Sequence, residues 1–396
     1  MRAGPSQDEI RRQNLGALLR HVHVHGATTR AELTTTLGLN RSTIGALTAD
    51  LAGAGLVSEG APKETGRAGR PSLVVRPESA RVYAYASSIE VDRLRAARVG
   101  LGGEVLDRRD LDRPRGMDAA ETAPLLAGAL TEMHHQVAAD ARCVGAGVAV
   151  CGMVRRADGL VRLGPSTGWV DEPLGATLAD ALGIDLPVTV GNVADVAAFA
   201  EHARGVAAGC DNVIYLYGDV GVGAGIIAGG RRLTGHGGYG GYGGEVGHMV
   251  VSRDGARCEC GSRGCWETEI GEHGLLRAAG RSEARGREAL QAVFEAADRG
   301  DARAQVAVRQ AGDWLGFGVG NLINIFNPEM VIFGGTMRDL YLAAAAQVRS
   351  RLNQVGLPAC LEHVRLRTPK LGDDAPLIGA AELAFERLLA DPLDVG

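Results

Sequence analysis

Apolar residues recur along this chain at two different periods, and the change from one to the other divides it. Near the start the period is helical: Leu15, Leu18, Leu19 and Val22 fall at i, i+3, i+4 and i+7 and draw one apolar stripe. "TTRAELTTTLGLN" predicts a short second helix ending near Gly38. Asn40 stands where it can cap a third, "RSTIGALTADLAGAGL", whose Ile44, Leu47 and Leu51 share a face. "LVSEG" and "PSLVV" then read as two strands flanking "APKETGRAGR". From "RVYAYASSIE" onward, short apolar runs such as "VGAGVAVCG", "NVIYLYG" and "EMVIFGG" alternate with helical stretches such as "DVAAFAEHARG". That alternation predicts α/β domains whose sheets are covered on both faces.

Two short helices, a tight turn and a third helix opening on small polar residues spell a helix-turn-helix, with the strand pair as its wing. Arg41, Ser42 and Thr43 occupy the first turn of the third helix, where a recognition helix meets base edges and phosphates. Arg67 and Arg70, set among glycines in the wing loop, suit a phosphate backbone or a minor groove. Charge strengthens the reading: residues 1–76 carry ten Lys or Arg against six Asp or Glu, a balance of +4 in a chain whose total is -5. A basic head on an acidic body points to an anionic partner for the head alone, a double-stranded DNA operator. A three-helix packing module with a solvated basic face is the other reading of the same pattern.

At 396 residues the chain is too long for one ordinary core, and two or three domains are expected. Its 58 glycines are spread through motifs without a repeat, which excludes a collagen-like chain. The opening "MRAGPSQDEIRRQ" has no apolar leader, and no apolar run is long enough to span a bilayer. A cytoplasmic protein with no membrane partner is therefore expected.

Three of the seven cysteines lie close together in "GHMVVSRDGARCECGSRGCWE". In a reducing compartment clustered thiols more often bind metal than pair with one another. Cys258, Cys260 and Cys265 are joined by Gly-containing turns that let them converge, and His248 can fold back across a hairpin as a fourth ligand. Three sulfurs and an imidazole make a closed tetrahedral set, the arrangement of a structural Zn2+. An iron–sulfur cluster would ordinarily want a fourth cysteine. Cys143, Cys151, Cys210 and Cys360 read as small core residues.

The run "DVGVGAGIIAGGRRLTGHGGYGGYGGEVGHMVVSRDGARCECGSRGCWE" resembles the central signature of the ROK family, which groups sugar-responsive repressors with sugar kinases. "LGFGVGNLINIFNPEMVIFGG" and "LGDDAPLIGAAE" resemble that family's C-terminal lobe, so with the winged head the resemblance covers nearly the whole chain. It implies a two-lobed, actin-like α/β body with a sugar cleft between the lobes. The expected division is a winged helix-turn-helix over 1–76, a first lobe over 77–195, and a second lobe with the zinc loop and C-terminal helices over 196–396. In sugar-binding members, matching Glu, His and Glu side chains hydrogen-bond sugar hydroxyls, which gives that role here to Glu245, His248 and Glu267. His248 would ligate zinc through one ring nitrogen and offer the other to the ligand. Asn192 and Asp195, in "NVAD", are the further sugar contacts implied.

The same resemblance bears on catalysis. ROK kinases carry an Asp-x-Gly-Gly-Thr phosphate turn, and the matching stretch here is "EVDRLR", with Asp92 and Arg93 in place of the glycines. Kinases carry Asn-Asp-Ala-Asn at the cleft; here Val193 stands where the base aspartate would be, and it cannot take a proton. "GDVGVGAG", Gly218 to Gly225, keeps only a loose likeness to the second phosphate loop. The expectation is a non-enzymatic regulator, most simply a repressor of carbohydrate-metabolism genes, working as a homodimer or homotetramer. A bound sugar or sugar derivative would shift the lobes and so the spacing of two heads, through a hinge at 76–81, "RPESAR". "GHGGYGGYGGE" would order on binding, with Tyr239 or Tyr242 stacking on the sugar. Two alternatives stay open: a sugar kinase with a DNA-binding head, and a ligand-independent regulator whose body is a dimerisation scaffold.

Overall fold

The structure, a computed structural model, describes residues 6–62, 72–236, 239–240 and 244–394. In the head, α1 (Gln7–His25) begins with a reciprocal cap: the Ser6 hydroxyl accepts from the Glu9 amide and the Glu9 carboxylate accepts from the Ser6 amide. A two-residue strand, β1 (Thr28–Thr29), leads into α2 (Arg30–Leu37), which repeats that cap at Thr29 and Glu32 and stops at Gly38, in the left-handed region at φ 65°. α3 (Arg41–Gly53) starts from Asn40, whose side-chain oxygen accepts from the Thr43 amide at 2.8 Å. The seven stripe residues from Leu15 to Leu51 are all buried, so the three helices close one core. β2 (Val57–Gly60) and β3 (Val74–Pro77) are the two wing strands, and β1 adds a third in the order β1-β3-β2. Arg41 and Ser42 are exposed at the start of α3. Arg67 and Arg70 lie outside the described residues.

The first body sheet holds β4 (Val82–Ile89), β5 (Arg93–Gly100) and β6 (Val105–Asp112), then, past α4 (Ala119–His135), β7 (Arg142–Val150). A small side sheet of β8 (Met153–Arg155), β9 (Leu160–Gly164) and β10 (Trp169–Glu172) precedes α5 (Leu174–Leu182), β11 (Val188–Asn192) and α6 (Val193–Arg204). The main order is β11-β7-β4-β5-β6, with β11, β7 and β4 parallel and the last three antiparallel. The second lobe has β12 (Val213–Gly218), β13 (Val222–Ala228) and β14 (Arg231–Arg232), and β15 (Tyr239–Gly240) crosses to pair with β8. Its helices are α7 (Glu267–Ile270), α8 (Glu272–Ala278), α9 (Gly286–Asp298) and α10 (Ala302–Phe326). β16 (Met330–Gly335), α11 (Thr336–Ala343), α12 (Ala345–Val355), α13 (Pro358–Leu361), β17 (Arg365–Arg367) and α14 (Ala375–Ala390) complete the chain. The second sheet runs β14-β13-β12-β16-β17, with β12, β16 and β17 parallel. The body is mixed α/β, as the alternating pattern predicts, in the two-lobed form that the family resemblance implies, behind a winged helical head.

Two expectations change. A boundary at 195/196 falls inside α6, and α14 does not stay with the second lobe: it packs on β4, β7 and α6. The reason is its apolar surface, since Leu377, Ala380, Ala381, Leu383, Phe385 and Leu388 are all buried and need a sheet to cover. The hinge expected at 76–81 is fastened on both sides. The Glu78 amide donates to the Leu56 carbonyl at 3.0 Å, and the Ser79 hydroxyl donates to the Leu101 carbonyl.

Candidate functional site

Parallel strands end where helices begin, and the interlobe cleft is built from such ends. β11 runs into α6 at Asn192, which caps the helix with its side-chain oxygen on the amides of Ala194 (2.9 Å) and Asp195 (3.2 Å). Its Nδ2 donates to the Gly152 carbonyl at 2.8 Å, so both ends of the amide are engaged. A cavity there is lined by Asn192, Val193 and Ala194, by Cys151 and Ser166 of the first lobe, and by Tyr217 and Asp219 of the second. Glu245, His248 and Glu267 close its far wall. Four of the five expected sugar contacts thus share one cavity. Asp195 is the exception: it lines a neighbouring small cavity beside Arg156 and Arg232, because three residues past the cap the helix has turned its side chain away.

Glu245 precedes the short 3-10 turn Val246–His248 and His248 ends it, and Glu267 opens α7 immediately after Cys265 and Trp266. Burial first, then the like charges of Glu267 and Asp195, push the Glu245 carboxyl up to about 7. His248 turns Nε2 toward Glu245 Oε2 (3.7 Å) and Nδ1 toward Cys258 Sγ (3.6 Å). One ring edge thus faces the cavity and the other the thiols. Glu267 reaches both ways as well, with Oε2 accepting from the Val222 amide (3.3 Å) and Oε1 3.0 Å from Cys258 Sγ.

The ligand atoms of His248, Cys258, Cys260 and Cys265 all lie within 4.8 Å of one another. Cys260 Sγ and Cys265 Sγ are 3.7 Å apart. A tetrahedral zinc with Zn–S bonds of about 2.3 Å needs sulfurs about 3.8 Å apart, so the donor set fits that ion. Burial, and next the Glu267 side chain, push the Cys258 thiol up, a bias that a bound cation reverses. The remaining four cysteines lie apart from this cluster, but Cys151 borders the interlobe cavity and is not simply a core residue. Its position at the end of β7 next to Gly152 was a strand-end signal that its apolar neighbours hid.

A second cavity, of about 730 Å³, lies on the other side of Asp219 and is lined by Glu90, Asp92, Arg93, Arg285, Arg287 and Thr336 among others. Here the turn between β4 and β5 is held by the protein's own side chains. The Val91 amide donates to Asp219 Oδ2 (3.3 Å), and Arg115 bridges Asp92 (3.4 Å) and Glu272 (3.0 Å). Burial, then the charge of Glu90, push the Asp219 carboxyl up to about 7. Tyr239 and Tyr242 add nothing that can be placed: Tyr242 lies outside the described residues, and of Tyr239 only the backbone pairing with β8 is described.

A model of the ROK family matches residues 88–387, which includes most of both lobes and every residue of the cleft and the thiol cluster. The chain belongs to the ROK family. The xylose repressor of Bacillus subtilis (strain 168) is 26% identical over 97% of this chain and 97% of its own length. A glucokinase of Halalkalibacterium halodurans is 30% identical, over 72% of this chain and 89% of the kinase. Among solved structures, a ROK family transcriptional regulator, a homologue of the E. coli MLC protein, aligns with a TM-score of 0.78 at 26% identity, covering 98% of both chains. The ROK body is therefore common to repressor and kinase relatives, while the winged head lies ahead of the family match.

Proposed function

We propose that this ROK protein is a DNA-binding transcriptional repressor of carbohydrate-metabolism genes, modulated by a sugar or sugar derivative held in the cleft. The observation that carries the reading is the extent of the repressor match: 97% of each chain, head included, where the family model begins only at residue 88. Arg41, Ser42 and Thr43, at the exposed start of α3, are the groups we assign to a double-stranded operator, together with Arg67 and Arg70 on the strength of their sequence alone. A homodimer or homotetramer would present two heads to two half-sites.

In the cleft, Glu245, His248 and Glu267 would take neighbouring sugar hydroxyls, carboxylates accepting and the imidazole Nε2 facing them. Asn192 would act chiefly by fixing the start of α6, since its cap leaves its side chain little to offer a ligand. His248, Cys258, Cys260 and Cys265 would hold a structural Zn2+, which when bound staples residues 248–265 and fixes the His248 ring. The set has no open position, so the ion would not activate water.

The rival reading is a sugar kinase, favoured by the 30% identical glucokinase. Against it stand Val193, apolar and buried as the first residue of α6, and the β4–β5 turn, where Asp92 and Arg93 bring side chains and a carboxylate to the place a phosphate would need. A coupled assay with ATP and a panel of hexoses and pentoses decides between them. No turnover above the rate without protein is expected, and sugar-dependent ATP consumption at ordinary kinase rates overturns the regulator-only reading.

A further inference from the structure

A buried polar cluster sits between the head and the body. His23, on α1, is fully buried, and its partners come from three body elements. The Gly102 amide, between β5 and β6, donates to Nδ1 at 3.1 Å. An amide can only donate, so Nδ1 is the acceptor there, while Nε2 lies 3.0 Å from Glu382 Oε2 of α14 and 2.7 Å from Arg204 Nη2. Arg204, the last residue of α6, donates from Nε to Glu382 Oε1 at 2.9 Å and from Nη1 to the Gly102 carbonyl at 2.8 Å. Burial pushes the Glu382 carboxyl up, but His23 and the Arg204 guanidinium outweigh it and hold the group down at about 2.

Arg204 is also the far end of the helix that starts at the cleft. α6 has 12 residues, about 18 Å at 1.5 Å per residue, with Asn192 and Val193 in the cavity wall and Arg204 at His23. Two close backbone approaches pack α6 against α14 and α14 against α1. A Cβ on Gly379 of α14 would meet the Val196 carbonyl of α6 at 2.0 Å, and a Cβ on Gly16 of α1 would meet the Leu389 carbonyl of α14 at 2.7 Å. The chain connection at 76–81, by contrast, is tied to Leu56 and Leu101 and offers no free pivot.

We infer that α6 carries the state of the sugar cleft to the DNA-binding head, with Arg204 and Glu382 as positioning residues that grip His23. The inference rests on the sensor reading proposed above and adds its route. A ligand that shifts the capped start of α6 moves Arg204 with it, because a helix is stiff along its axis. Both ring nitrogens of His23 are engaged in these contacts, so α1 must follow or lose buried hydrogen bonds. The head is thereby read out by rigid coupling rather than by a flexible linker.

The test uses the full chain with Glu382→Gln and, since a buried Arg204 left without its carboxylate can unfold the protein, His23→Gln as a second variant. Hydrogen exchange of α1 amides needs no sugar: Leu18 to Val22 should exchange about tenfold faster in both variants while α10 is unchanged. Sugar affinity by calorimetry should stay within about twofold. The ratio of operator affinities with and without the effective sugar, about tenfold in the wild type, should fall toward one. Variants that keep both wild-type exchange and the wild-type ratio overturn the inference. Variants that exchange faster yet keep the ratio overturn the transmission route and leave only a head mount. A wild type indifferent to every sugar overturns the sensor reading itself, and the transmission with it, whatever α1 does.

Discussion

Asp219 shows how much one carboxylate changes this site. It stands on a Gly-rich turn between two cavities, accepts from the Val91 amide, and faces Glu90, Asp92 and Glu272. Burial and that acidic company raise its carboxyl to about 7, so the ionised form is costly in the folded state. The sign follows from linkage. A carboxyl raised above its unfolded value contributes its full stability at low pH and loses it as pH climbs from about 4 through 7. Asp219→Asn keeps the acceptor for Val91 and removes the charge. It should therefore raise the melting temperature by several degrees at pH 8, with a smaller gain at pH 5, in parallel thermal scans. An equal gain at both values, or none, would contradict the assignment. The sequence could suggest Asp219 only as the leader of a glycine-rich turn, because its cost depends on burial and on Glu90, Asp92 and Glu272, which lie far from it along the chain. Asn192 teaches the converse: its type and place in "NVAD" were legible, but the side chain is spent on capping α6 and on Gly152.

Among elements, those with local signals were the readable ones. Asn40, Gly38 and the apolar stripes mark α2 and α3 because caps and periods are written within a few residues. β1, two residues long, carries no period at all, and only its pairing with β3 makes it a strand. The thiol loop falls between these cases: Cys258, Cys260 and Cys265 are close in sequence, while His248 reaches them by a bridge between Val250 and Cys265 that pulls the hairpin shut. Metal analysis of the purified protein should give about one zinc per chain, and Cys260→Ser should lose it. Because His248 and Glu267 are shared with the cleft, the same variant should weaken sugar binding by about tenfold or more while the isolated head's contacts stay intact. Full sugar affinity in a zinc-free variant would separate the loop from the site.

At the scale of the whole molecule, the chain's route matters more than its lobes. α14 is last in sequence, yet it lies between the first sheet, α6 and the head's α1, so the C-terminus joins three parts of the fold. Nothing in "APLIGAAELAFERLLA" says so except its apolar load and one buried glutamate, Glu382, whose partners His23 and Arg204 lie 359 and 178 positions away. Such long-range pairings are invisible to a period or a cap, and a boundary placed by sequence alone cuts through α6. The same geometry makes the central claim checkable in one experiment: operator binding as a function of sugar. Fluorescence anisotropy on labelled DNA from upstream of the protein's own gene, titrated with protein in the presence of single sugars and sugar phosphates, reads it directly. The account predicts salt-dependent binding whose affinity one sugar changes by about tenfold or more, the other sugars having little effect. Binding that no sugar alters, or no specific binding to that DNA at all, would contradict it.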